Sequence, residues 1–270
     1  MVLKNTAFKV GIAVCSLSLF APMAKAESTL APLNLDARYN VAWSGIVIGR
    51  IILHAKEDAA SYSLSVDTKT HGLGSLISDE TSAVSAKGSK KPDGTYVPAE
   101  YHSGPQKAED TRRDRTELLY NPDGTIAKRS REPEDDPAWR PPVNFADIDT
   151  ARDPITAGFI LRKQLHDALD SKTMEVSNRT YDGARLATMR FIRTINAKVE
   201  VMGTYKDTVD VQVTRTPVTG YTPKELKKFN KGDPEIHLYF SNDAAFLPVR
   251  ASAKVLLGEL SLTMVDDKAQ

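Results

Sequence analysis

The chain of 270 residues carries 36 basic and 35 acidic side chains, so its formal net charge of +1 excludes a strong overall field for nucleic acid. Its single cysteine excludes an internal disulfide and a site of several thiolate ligands. After the first 26 residues, no stretch approaches the roughly 18 apolar residues that a membrane-spanning helix needs.

Residues 1–26 have the organisation of a secretory signal peptide. Two lysines make the start basic, an apolar run covers residues 10–20, and a small-x-small triplet ends at Ala26. We expect cleavage after Ala26, which would leave residues 27–270 as a single β-rich domain in the periplasm. The segment contains three lysines, so the mature chain would have 33 basic against 35 acidic residues and a net charge of −2.

The cysteine, Cys15, lies inside this segment and follows Val14. A lipoprotein signal places a small residue before its cysteine, so no lipid anchor is expected. The mature chain would then offer no thiol for catalysis or for metal binding.

Residues 38–55 are apolar and rich in β-branched side chains, a pattern that predicts one long strand. Gly45 and Gly49 interrupt it. Glycine inside a strand commonly marks a bulge or a bend, so the simpler interpretation is that both glycines let the strand curve. The alternative is that they leave room for a ligand beside Trp43, which is otherwise expected in the core.

Further along, short runs of alternating apolar and polar residues predict more strands. Asp-Gly corners at 93–94, 123–124 and 182–183 supply the positive φ that tight turns need. Many short strands separated by such turns indicate a mainly β fold, either an antiparallel barrel or a sandwich.

One substantial helix is predicted over about 153–170. Asp153 is suited to the N-cap position and Pro154 to the first helical position, and Phe159 belongs to the apolar stripe that follows. A shorter helix is predicted where Thr222 precedes Pro223.

Three polar or aromatic features are candidates for ligand binding. On a strand, Arg113 and Arg115 would share one face. The simpler interpretation is a solvated strand, and the alternative is that the pair binds an anionic headgroup or glycan. Trp139 lies in the proline-rich connection 130–148, where it would either plug the end of a barrel or offer an aromatic surface. The lysines near the second helix form a basic patch that could contact anionic lipid or a partner: Lys224, Lys227, Lys228 and Lys231.

Sequence motifs for catalysis and for cofactors are missing. The five histidines have no metal-ligand spacing, and neither a G-x-S-x-G elbow nor a phosphate-binding loop occurs. Neighbouring carboxylates such as Asp135 and Asp136 are expected to be solvated loop residues. We therefore predict a non-enzymatic protein without a metal or cofactor.

Several stretches, taken in order, resemble a proteobacterial family of exported envelope proteins, the domain of unknown function numbered 3108. They are YNVAWSGIVIGRI (39–51), THGLGSLISD (70–79), DGTYVPAEYHS (93–103), DPITAGFILR (153–162), YDGARLATMRF (181–191) and the C-terminal stretch 236–264. The resemblance implies a curved antiparallel sheet that forms an incomplete barrel or spiral around or against one helix. The implied fold is similar in outline to periplasmic lipoprotein carriers. The family has no established catalytic residues that could be assigned to this chain.

The primary hypothesis is a periplasmic cell-envelope protein that binds a lipid-like or amphipathic envelope molecule. The first alternative is a structural or interaction protein with an envelope protein partner and no small ligand, and the second is a glycan or lipid hydrolase. The candidate ligand-binding residues are Trp43, Gly45, Gly49, Arg113, Arg115, Trp139 and Phe159.

Overall fold

The computed structural model describes residues 30–70, 81–105, 114–168, 171, 174–194, 196–232, 234–255 and 258–269. The predicted signal peptide and Arg113 lie outside the described residues. Within them the strands are β1 (Leu33–Trp43), β2 (Ile46–Glu57), β3 (Ser61–Thr70), β4 (Thr81–Lys90), β5 (Tyr96–Pro105), β6 (Arg115–Tyr120), β7 (Ile126–Glu132), β8 (Glu175–Tyr181), β9 (Leu186–Arg193), β10 (Ala197–Val201), β11 (Thr204–Thr219), β12 (Ile236–Ser241), β13 (Pro248–Val255) and β14 (Gly258–Ala269). The helices are α1 (Phe145–Ile148), α2 (Pro154–Asp167) and α3 (Pro223–Asn230).

All the strands belong to one antiparallel sheet. The order across it is β7-β6-β5-β4-β3-β2-β1-β14-β13-β12-β11-β9-β8, and β10 pairs with β11 beside this path. In the part of the chain that the structure describes, no strand ladder joins β7 to β8, so the sheet is open there. The prediction of a mainly β, antiparallel fold is confirmed. The described residues contain the two predicted helices, α2 and α3, and a further short one, α1.

The predicted long strand over residues 38–55 is wrong, because the segment forms a hairpin of β1 and β2. Ser44 and Gly45 have φ of 48° and 85°, the positive values that a two-residue type I′ turn requires. Gly49 lies next to a bulge: Val41 pairs with Gly49 but Ala42 pairs with Val47. The first glycine therefore belongs to a turn and the second to a bulge.

Helix α2 begins where the sequence predicts. The carboxylate of Asp153 accepts hydrogen bonds from the backbone N–H groups of Ile155 (3.0 Å) and Thr156 (2.8 Å), which is an N-cap arrangement. The Thr156 hydroxyl lies 2.8 Å from the Tyr62 hydroxyl of β3. The cap therefore also attaches the helix to the sheet.

The apolar core lies between α2 and the inward face of the sheet. Phe159 packs against Tyr62 and Tyr96, with ring centroids 4.9 and 5.9 Å away. Further along the helix, Leu161 and Leu165 join a second cluster with side chains of β9, β11 and β12. Alternation along β1 buries every second residue, as a strand with one covered face requires.

Charged side chains lie at the opening between β7 and β8. The carboxylate of Asp135 contacts three guanidinium groups, those of Arg129 (2.9 Å), Arg131 (2.9 Å) and Arg140 (3.0 Å). Arg129 also donates to the carbonyl of Gly183, in the turn between β8 and β9. The ion pairs thus lie on the β7 side of this seam, and the hydrogen bond from Arg129 to Gly183 crosses it.

Candidate functional site

The inward face of the sheet becomes accessible at one end. Along β1, Leu35 and Tyr39 are 1% and 2% exposed, and Trp43 at the end of the strand is only half-buried. Directly opposite Trp43 are Ile46 on β2 and Leu260 on β14, which are 54% and 40% exposed. Directly paired residues share one face, so these three side chains form an apolar group that we call the rim.

The rim exists because the hairpin strands extend beyond the core. Val41, one inward position before Trp43, pairs with Gly49 on one side and Leu262 on the other, and all three face inward. Glycine at this position removes a side chain from the surface beside Val41. Trp43 and Gly49 therefore lie toward the same end of the inward face.

The other candidate residues are not part of the rim. Gly45 lies in the exposed hairpin turn, where an added Cβ would meet no atom within 4 Å. Phe159 is buried in the core between two tyrosines, which explains it as a packing residue. Trp139 is 51% exposed, with the Arg140 guanidinium 5.1 Å from its ring centroid, so it does not plug the interior.

Arg115 lines an open groove on the outward face of β4–β7, with a volume of about 470 Å³. Hydroxyl and charged groups dominate the lining, including those of Ser103, Ser130 and Lys128. Lys128 is paired with Glu117 at 3.2 Å. Such a lining suits a polar ligand better than an acyl chain.

An outward row of polar residues crosses six adjacent strands and was missed by sequence reasoning. Direct cross-strand pairing links them in the order Asp36, His54, Ser65, Ser85, His102, Glu117. The His54 ring nitrogen Nδ1 lies 2.6 Å from an Asp36 carboxylate oxygen, beside a second groove of about 330 Å³. The row needs the strand register, which the spacing of these residues along the chain does not reveal.

Buried charged groups lie in the interior. Glu57 contacts Arg162 (2.8 Å), Lys90 (2.6 Å) and the Tyr96 hydroxyl (2.6 Å). Burial raises the pKa of Tyr96, and the hydrogen bond to the Glu57 carboxylate raises it further. Burial lowers the pKa of Arg162 against the opposing effect of Glu57. Each of these buried groups has an ion-pair or hydrogen-bond partner, which is typical of a structural ion-pair network.

Burial also raises the pKa of Asp153, against the opposing effect of the hydrogen bonds at its N-cap position.

The described residues were compared with the requirements of a metal site and of a membrane-spanning helix. Among the described residues, no three His, Cys, Asp or Glu side chains gather closely enough to hold a metal ion. The helices that the structure describes include none with the length and hydropathy to cross a bilayer.

The fold and its open apolar end define a mainly β protein with a candidate binding rim. The chain belongs to the family described as protein of unknown function DUF3108, whose profile matches residues 38–265. The predicted membership of the domain of unknown function numbered 3108 is therefore confirmed. A search of curated proteins finds no match.

Three solved structures are similar to the chain. A β-barrel-like protein of the domain of unknown function DUF1849 from Brucella abortus shares 12% identity, with a TM-score of 0.47 over 90% of this chain and 99% of that one. A protein from Parabacteroides distasonis, provisionally described as a lipoprotein, shares 10% identity, with a TM-score of 0.39 over 89% and 98%. A Bacteroides fragilis protein, provisionally described as exported, shares 10% identity, with a TM-score of 0.31 over 87% and 95%.

Proposed function

We propose that this is an exported, non-enzymatic envelope protein that binds an apolar or amphipathic molecule at the rim. In this proposal the sheet acts as an incomplete barrel, with α2 filling most of the concave face and Trp43, Ile46 and Leu260 forming the accessible remainder. The ligand's apolar part would cover the rim, and its polar part would stay in water.

One observation supports the proposal most directly: the gradient of exposure along the inward face. Inward positions of a sheet are normally covered, and Leu35 and Tyr39 follow that rule. The rim residues face the same way and remain accessible. Contiguous exposed apolar side chains on a concave face are typical of a binding surface.

The experiment is native mass spectrometry of the full chain purified from the cell envelope, followed by solvent extraction of the bound material. We expect stoichiometric release of a lipid-like molecule. The double substitution Trp43→Ala and Leu260→Ala removes rim area, and we expect at least roughly tenfold weaker retention. A matched control is Ile52→Ala with Val265→Ala, which removes exposed aliphatic side chains from the outward face. An empty wild-type protein, or equal loss in both double variants, would overturn the proposal.

A second candidate function is binding of an envelope protein without a small ligand. The polar grooves on the outward face favour it, because α2 already covers much of the inward face. Crosslinking in cells should then trap one defined protein partner through the outward face of β3–β6. A trapped partner together with an empty rim would favour this candidate over lipid binding.

A third candidate is hydrolysis, for which the Asp36–His54 contact is the supporting observation. Asp36 would hold Nδ1–H, leaving Nε2 of His54 as a base beside Ser65, its cross-strand neighbour. Ester substrates would test it. Ser63 lies in the same groove and provides the control. Turnover that is lost in Ser65→Ala but kept in Ser63→Ala would support hydrolysis. Absence of turnover by the wild-type protein would reject it.

A further inference from the structure

The strand directions place helix α3 at the same end of the sheet as the rim. Successive neighbours from β1 through β14, β13 and β12 to β11 are antiparallel, so β1 and β11 run in the same direction. β1 ends at Trp43, beside the rim, and β11 ends at Thr219, four residues before α3. β7 also runs this way and ends at Glu132, shortly before Trp139. The three features therefore occupy one end of the molecule.

Helix α3 presents positive charge at this end. It has no buried residue, and its exposed lysines are Lys224, Lys227 and Lys228, followed by Lys231 at the C-cap. Its one acidic residue, Glu225, faces the body of the protein. There its carboxylate contacts Arg140 (3.1 Å) and Arg185 (3.3 Å). The outward charge of the helix is therefore almost entirely positive.

Apolar side chains accompany the lysines. Leu226 of α3 is 40% exposed, and Trp139 is 51% exposed. Arg140 joins the two, since its guanidinium contacts both the Trp139 ring and the Glu225 carboxylate. Lysines with an exposed tryptophan and leucine are the composition of surfaces that lie at a lipid headgroup layer.

We propose that this end of the protein docks on an anionic bilayer, with α3 and Trp139 in contact with the headgroups. The inference rests on the proposed function in one respect: docking would bring the rim close to the membrane from which an amphipathic ligand comes. A bilayer is favoured over an acidic protein because exposed apolar side chains, those of Leu226 and Trp139, accompany the lysines. Exposed carboxylates of Glu134 and Asp136 mark the limit of the surface along the preceding loop.

The experiment measures co-sedimentation of the full mature chain with vesicles of phosphatidylcholine alone, or mixed with phosphatidylglycerol. We expect binding only with the anionic lipid, and weakening with salt. Substituting the four lysines Lys224, Lys227, Lys228 and Lys231 by glutamine should lower affinity roughly fivefold for each lysine removed. The matched control removes four exposed lysines near the opposite end of the sheet, Lys56, Lys87, Lys91 and Lys198, and should bind as the wild type does.

Fluorescence of Trp139 gives an independent reading. In a Trp43→Phe variant, the remaining emission should shift to the blue on anionic vesicles, because an exposed indole enters the headgroup layer. Equal binding to both vesicle types, equal weakening in the two quadruple variants, or binding to polyanions without binding to vesicles would overturn the proposal. Vesicle binding by a protein that retains no ligand would leave docking standing and reject the proposed function, so the two failures are distinguishable.

Discussion

Arg162 of α2 and Glu57 of β2 form an ion pair inside the core, with 2.8 Å between Nη1 and Oε2 and side chains only 4% and 2% exposed. The same guanidinium donates to the carbonyls of Ala31 (3.0 Å) and Ala245. One side chain of the helix thus connects three separate parts of the chain. Such a contact fixes how the helix is seated on the sheet.

Removal of this guanidinium should be costly. Arg162→Ala leaves the Glu57 carboxylate buried with a weaker set of partners, and we expect the free energy of unfolding to fall by about 3–5 kcal/mol. Urea denaturation followed by circular dichroism would measure it. Arg190→Ala removes an arginine from a solvent-exposed pair with Glu175, so it should leave stability unchanged within error. A small effect at Arg162 would show that Lys90 and the Tyr96 hydroxyl are sufficient partners for Glu57.

Phe159 should contribute chiefly through packing. Phe159→Ala leaves a cavity between the Tyr62 and Tyr96 rings, and we expect a loss of about 3–5 kcal/mol in the free energy of unfolding. Phe145→Ala, at an exposed phenylalanine, should change stability by no more than about 0.5 kcal/mol. Thermal and urea unfolding would compare them. Similar losses in both would contradict the assignment of Phe159 to the core.

His237 should make stability depend on pH. Burial alone would lower its pKa, but hydrogen bonds to Asp210 (2.8 Å) and Glu235 (3.2 Å) outweigh burial and raise it above its usual value. The protonated ring therefore stabilises the folded state fully below its ordinary pKa of 6.5, and this contribution is lost as pH rises through the raised pKa. Unfolding measured from pH 5.5 to about 8.5 should show this fall, and His237→Gln should abolish that part of the profile. An unchanged profile in the variant would refute the assignment.

Gly183 should tolerate no side chain. It has a φ of 91°, and an added Cβ would collide with the Thr116 methyl group of β6, across the seam. Gly183→Ala combines this collision with backbone strain and should destabilise clearly more than Gly203→Ala. Gly203 has a φ of 73° but nothing within 4 Å of an added Cβ, so that variant isolates the strain. Unfolding midpoints of the two variants provide the measurement.

Turn chemistry was the most reliable guide to the fold. The Asp-Gly corners at 93–94, 123–124 and 182–183 all lie between paired strands, because aspartate and glycine each fit the turn for a local reason. The Ser44–Gly45 turn was missed because apolar residues flank it on both sides. A continuous apolar run does not distinguish one long strand from two strands joined by two residues.

The rim could be predicted only in part. The sequence singles out Trp43, but it gives no sign that Ile46 and Leu260 lie beside it. Their exposure depends on how far β1, β2 and β14 extend past the core, which is a property of the assembled sheet. For the same reason, the pairing of Asp36 with His54 needs a register that no local pattern specifies.

The pairing of β1 with β14 places the two ends of the described chain side by side in the middle of the sheet, with Leu35 opposite Ala269. A short linker between these ends, with the chain cut instead in the loop after β7, would therefore give a circular permutant. In this permutant the first strand would be β8 and the last would be β7. Apart from β10, which pairs only with β11, strands that are consecutive in the chain would be neighbours in the sheet, as in an up-and-down meander. Along this chain β1–β7 come before β8–β14, so the ladder between β1 and β14 can form only after both groups of strands have been synthesised.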